Sequence, residues 1–252
     1  VFVNVGEFLS DEQQQALLDD AYQQLEIHRD QVLPSPEPDP VEMAKRRELL
    51  DILIQGYASI DEPENAIDTV DLLGAGTIPG GLTIVDDDGG NSDLNLDLLD
   101  SDTVQLMLHP SEVQTYKKEI MMAARCVSFT EIFEETGSDE ALDRACSELD
   151  QISERKDIRD AARGRLVHGL LKQFRIKEAT DHICEFDPED PRREQLGLAT
   201  TAICVRSDVL ASVCIERIFP KAEHPRIVSW LARYKTGIDD VKDVPGLVLD
   251  EE

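Results

Sequence analysis

An Arg followed at helical spacing by aliphatic residues, and then by a second short amphipathic stretch built around Ala, recurs along this chain. Arg46-Arg47-Glu48-Leu49-Leu50 leads to Ala66-Ile67-Asp68-Thr69-Val70, and Arg163-Gly164-Arg165-Leu166-Val167 leads to Ala179-Thr180-Asp181-His182-Ile183. A more divergent copy starts at Lys118 and reaches Ala141 and Ala145, and another runs from Arg193 through Leu196 to Ala211 and Ile215. Each copy reads as two helices. A helix pair cannot bury its apolar faces alone, so neighbouring pairs must cover one another, and the chain is expected to be all-α.

Two alignments set the period. Pro191-Arg192 precedes Leu196 by the spacing at which Pro225-Arg226 precedes Trp230, and these copies lie 34 residues apart. Arg163 and Arg193 precede Leu166 and Leu196 at a separation of 30. Such a drifting period suits helix pairs joined by loops of variable length. At these residues, over roughly 41–236, the chain resembles the tetratricopeptide-like and HEAT-like helical-repeat group. The resemblance implies an α-solenoid of stacked antiparallel helix pairs that binds proteins or peptides. It implies no substrate. The tetratricopeptide signature of Trp, Leu-Gly, Tyr and later Ala and Pro is not present in order, so no ligand-binding residue carries over from that family.

The punctuation of the chain divides it into segments. Ser10-Asp11-Glu12-Gln13 reads as a capping box, in which the Ser hydroxyl takes the Gln13 amide and the Gln side chain returns to the Ser amide. Residues 1–33 therefore form an N-terminal helical segment, with Leu17, Leu18, Tyr22 and Leu25 on one face. The Pro-rich stretch 34–40 is a stiff linker, and 41–73 holds the first helix pair. Periodicity fails over 74–110, a Gly/Asp-rich loop or insert with seven Asp and no Lys or Arg between Asp86 and Asp102. Inside it Leu82-Thr83-Ile84-Val85 suits a short strand or an extended peptide. Residues 111–236 form the regular repeat region, with turns at Gly137-Ser138 and Asp187-Pro188 and a last helix starting after Pro220. Residues 237–252 are an acidic tail.

The charge is unevenly distributed. The formal net charge is −28, yet residues 157–236 carry 14 Lys and Arg against 12 Asp and Glu. The acidity belongs to the N-terminal part and the tail, a field that disfavours nucleic acid and anionic membranes, because binding phosphate requires an excess of cations. No run approaches the roughly 18 apolar residues of a membrane-spanning helix, so membrane insertion is not expected. The five cysteines, Cys126, Cys146, Cys184, Cys204 and Cys214, sit among aliphatic residues and are odd in number, which favours buried reduced thiols over a disulfide framework. A cytoplasmic location is the expectation. Because the sequence opens on Val1, a trimmed or processed product is expected, and an upstream signal or anchor is left open.

Chemistry-bearing patterns are sparse. Asp86-Asp87-Asp88-Gly89-Gly90-Asn91-Ser92-Asp93 offers hard oxygen ligands, but an EF-hand register from Asp86 puts Gly90 fifth, Asn91 sixth and Asp97 twelfth, which breaks the pattern. His182 and Cys184, two residues apart on a helix, point about 200 degrees apart and do not share an ion. There is no nucleophile elbow, catalytic Cys signature or phosphate-cradling Gly motif. The reading is therefore no enzyme, no cofactor and no metal. Arg155, Arg159 and Arg163 stand at successive i to i+4 spacings, and on one helix they would form a basic stripe about 12 Å long. An acidic partner would suit that stripe, as would the chain's own Asp86–Asp102 segment, while the plainer reading pairs these arginines with Asp157, Asp160 and neighbouring helices. Trp230 and Tyr234, at i and i+4, suit either an exposed contact point or a cap over the end of the stack.

The expected function is a non-catalytic scaffold or adaptor for a protein or peptide partner, with Arg155, Arg159, Arg163, Trp230 and Tyr234 as candidate contact residues. The alternatives are a regulatory module whose acidic loop senses calcium or a basic peptide, and an accessory domain of an enzyme complex.

Overall fold

A computed structural model describes residues 10–32, 40–71, 82–85, 104–107 and 115–237. The Pro-rich linker up to Asp39, the Asp86–Asp102 run, the side chains of Arg46 and Arg47 and the acidic tail beyond Gly237 lie outside the described residues. Ten α-helices are present among those described: α1 (Asp11–Val32), α2 (Pro40–Ser59), α3 (Pro63–Asp71), α4 (Lys117–Thr136), α5 (Asp139–Gln151), α6 (Lys156–Lys172), α7 (Ile176–Ile183), α8 (Pro191–Ile203), α9 (Asp208–Ile218) and α10 (His224–Lys235). Two strands, β1 (Leu82–Val85) and β2 (Val104–Met107), form a parallel ladder with Leu82 opposite Val104 and Val85 opposite Met107. The body is all-α, with neighbouring helices packed on one another within each of its units.

Local chemistry fixes the helix ends. At α1 the capping box forms: the Ser10 hydroxyl accepts the Gln13 amide at 3.4 Å, and the Gln13 side chain accepts the Ser10 amide at 3.1 Å. Helix α4 stops at Gly137, whose φ of 69° lets its amide reach the Phe133 carbonyl at 2.7 Å. Ser138 then caps α5 by accepting the Ala141 amide. Asp190 caps α8, with Pro191 in the first turn, and Ser207 caps α9.

The described residues fall into two compact units. In one, drawn from Val1–Asp88 and Thr103–Ala162, α2 packs on α1, α3 and α4, and α4 packs on α5. Its core includes Leu50, Leu53, Tyr57, Val70, Ile120, Phe129, Ile132, Phe133 and Leu149, all essentially without solvent contact. Asp71 at the end of α3 bridges Arg125 of α4 and Arg144 of α5, and Arg125 also reaches Glu148 at 2.7 Å. Both guanidiniums lie over the Phe129 ring, so the ion pairs cover an apolar surface.

The other unit is drawn from Arg163–Glu252. Here α8 packs on α7, α9 and α10, and a three-residue 3-10 turn, Cys204–Arg206, links α8 to α9. Gly197 marks the closest approach of α8 to the end of α9, because a Cβ built there would lie 2.6 Å from Ile218 and 2.8 Å from Phe219. Arg193 of α8 closes the same junction, donating to the carbonyls of Ile218 at 3.1 Å, Phe186 at 3.0 Å and Cys184 at 3.4 Å.

Candidate functional site

Helix α9 is apolar on both sides. Ala211, Cys214, Ile215 and Ile218, at i, i+3, i+4 and i+7, form the stripe that faces the core. Val209 and Val213, at i and i+4, fall on the opposite side, and Leu210 flanks them. Val209 is 74% exposed, Leu210 49% and Val213 46%. A helix with one core face ordinarily turns charged residues outward, and here valines take part of that face.

Charged residues surround these side chains: exposed Glu216 lies one turn from Val213, and ion pairs stand at both ends. Asp208, in the first turn of α9, forms an ion pair with Lys235 of α10. Arg217, in the last turn, pairs with Asp181 of α7 at 2.5 Å. The arrangement is an apolar centre between two charged pairs, the layout in which protein interfaces place their cores and rims. Phe174, in the turn between α6 and α7, is a further exposed apolar side chain at 76%. Its φ of 56° is left-handed, a conformation that costs a bulky residue energy.

The residues singled out from sequence are placed differently from the expected row. Arg155 precedes α6 and is not on it: its guanidinium pairs with Asp157 at 2.6 Å and lies over the Tyr116 ring. The cause is Glu119 of α4, whose carboxylate accepts the main-chain amides of Ser153 at 3.0 Å, Glu154 at 2.7 Å and Arg155 at 2.9 Å. That anchor turns the chain before α6 begins at Lys156. Hydrogen bonding by Arg155 also holds the Asp157 carboxyl below its ordinary range. Arg159 is half-buried on α6. Arg163 is only 5% exposed, pairs with Glu185 at 2.7 Å and lies over Phe186. Arg155 and Arg163 are thus engaged in ion pairs with Asp157 and Glu185. Trp230 is 1% exposed and stacks on half-buried Tyr234 with ring centroids 5.4 Å apart, so the pair packs inward and is not an exposed aromatic contact.

Chemistry-bearing groups are few among the described residues. No group of three or more His, Cys, Asp or Glu there is arranged to hold a metal ion. No described helix is long and apolar enough to cross a membrane. The five cysteines are free thiols, with Cys126, Cys204 and Cys214 buried. The acidic run considered as a calcium or peptide sensor lies outside the described residues. In comparisons with known proteins, no family model, no curated protein and no solved structure gives a significant match to the chain.

Proposed function

We propose that this protein is a non-catalytic adaptor built from stacked helix pairs of the tetratricopeptide-like or HEAT-like kind, and that it docks a helix of another protein on the outer side of α9. The observation that carries the proposal is the pair Val209 and Val213 standing outward on a helix whose other side is already core. Two valines one turn apart, flanked by Leu210, present a strip about 6 Å long, matched to the i, i+4 spacing of a second amphipathic helix. The occupant is assigned as a protein helix on two grounds. The centre is apolar, Asp208 and Arg217 at its ends are ion-paired and the exposed Glu216 is an anion, which leaves no unmatched cation row for phosphate. The near balance of charge over residues 157–236 also spares this region the repulsion that the rest of the acidic chain would impose on an acidic partner.

The test compares the wild-type chain with a Val209→Asp/Val213→Asp variant. Both positions are exposed, so the variant is expected to keep its helical signal and melting temperature while losing a stoichiometric partner captured by the wild type. Equal capture by both chains contradicts docking on α9. Self-association of the wild type through these residues makes the occupant a second copy and contradicts the assignment to another protein.

A further inference from the structure

The sulfurs of Cys204 and Cys214 lie 4.0 Å apart in the interior. Cys204 opens the 3-10 turn between α8 and α9, and Cys214 sits on the core side of α9, so the packing of the turn against α9 brings them together. On its other side Cys214 faces the Thr180 hydroxyl of α7 at 3.9 Å, and that hydroxyl already donates to the Ile176 carbonyl at 2.8 Å. Of the charged residues that follow Cys214 on α9, Glu216, two residues on, is exposed, and Arg217, three residues on, pairs with Asp181 of α7.

We propose that Cys204 and Cys214 form an oxidation site, closing to an intramolecular disulfide when the protein meets hydrogen peroxide. The pair is asymmetric. The contact with Cys204 lowers the pKa of Cys214, and Arg217 acts in the same direction, while the same contact and burial push Cys204 upward. Cys214 is therefore the attacking sulfur, since the thiolate is the nucleophile. Its thiolate attacks one peroxide oxygen, forming an S–O bond and breaking the O–O bond. The departing hydroxide takes up the proton that Cys214 released and leaves as water. The Cys204 sulfur then attacks the sulfenic sulfur, forming the S–S bond, and the expelled hydroxide leaves with the Cys204 proton as a second water. Two thiols lose two electrons in total, and one peroxide is reduced to two waters.

The sulfur separation sets the movement that closure needs. The sulfurs must approach from 4.0 Å to the roughly 2.05 Å of a disulfide. The element that must move is a three-residue turn, held after Cys204 by the Ser207 amide on its carbonyl at 2.8 Å. Short 3-10 turns have weaker hydrogen-bond geometry than α-helices, and their opening admits a molecule as small as peroxide. The thiols lie on the core side of α9, so this chemistry is independent of what docks on its outer side.

The experiment treats the full chain with graded hydrogen peroxide, alkylates the remaining thiols and maps peptides without reduction. The expected result is loss of two of the five thiols, a single peptide pair joined through Cys204 and Cys214, and recovery of both thiols with dithiothreitol. In the Cys204→Ser variant, Cys214 is expected to be trapped as a sulfenic acid by dimedone. Cys184→Ala is expected to leave the cross-link unchanged. Oxidation of Cys146 or Cys184 with Cys204 and Cys214 still reduced overturns the proposal. So does cross-linking between chains, or a cross-link that appears only after the helical circular dichroism of the wild type has been lost.

Discussion

The guanidinium of Arg193 donates to the Ile218 carbonyl at 3.1 Å, tying the start of α8 to the last residue of α9. The same side chain reaches the Phe186 and Cys184 carbonyls beyond the end of α7. One cation thus serves the carbonyl ends of two helices, where unpaired C=O groups and the helix dipoles both favour positive charge. Arg193→Ala is expected to destabilise the chain by about 2–3 kcal/mol, the scale of hydrogen bonds to a charged group. Arg193→Lys keeps the charge but loses the fork, and is expected to fall between the two. Chemical denaturation followed by circular dichroism measures both; an unchanged midpoint for Arg193→Ala contradicts this role.

Two glycines in helices are expected to respond to alanine with opposite signs. At Gly164 of α6 an added Cβ meets nothing within 4 Å, so the gain in helix propensity, about 1 kcal/mol, is expected to appear as stability. At Gly197 of α8 the same carbon meets Ile218 at 2.6 Å and Phe219 at 2.8 Å. Overpacking of about 1–3 kcal/mol should exceed the propensity gain there. Melting temperatures of Gly164→Ala and Gly197→Ala on either side of wild type are the predicted result.

Phe174 combines 76% exposure with a left-handed backbone. Gly tolerates that conformation, so Phe174→Gly is expected to stabilise the fold by about 1 kcal/mol, because almost no packing is given up in return. A loss of stability measured by urea unfolding would show that the ring is held by contacts that its exposure does not suggest.

The Tyr57 hydroxyl donates to the Asp19 carboxylate at 2.9 Å, joining α2 to α1. Burial first, and then the hydrogen bond and charge of Asp19, raise its pKa above the ordinary 10.0. The folded state therefore holds the proton more tightly than the unfolded chain. The associated stability is fully present below pH 10 and is lost as pH rises above it. Tyr57→Phe is expected to cost about 1–2 kcal/mol at neutral pH through the lost hydrogen bond. It should also flatten the alkaline decline, and denaturation midpoints from pH 8 to 11 should show the wild-type and variant curves converging.

The helices and their ends were legible in the sequence where local chemistry sets them. The Ser10 capping box, the Gly137-Ser138 break and the start after Pro220 all depend on neighbours within a few residues. The long-range determinants were not legible. Arg155, Arg159 and Arg163 have ideal helical spacing, but Glu119, more than thirty residues earlier, takes the amides before α6, and Arg155 stands at the start of that helix, paired with Asp157. Trp230 carries no local mark that separates a buried ring from an exposed one. The outward valines of α9 did leave a signal. Val209, Leu210, Ala211, Val213, Cys214, Ile215 and Ile218 exceed what one apolar stripe requires, which marks a second apolar side.

Site-specific photo-crosslinking from position 213 tests the central claim most directly. A photoreactive phenylalanine analogue placed at Val213, irradiated in the native lysate, is predicted to capture one protein through a helical peptide, and Val209→Asp in the same chain is predicted to abolish the adduct. The same probe at exposed Asp143 on α5 serves as the control and is predicted to give no such product. Equal labelling from both positions, or no adduct from position 213, contradicts the assignment of this helix face as the docking surface.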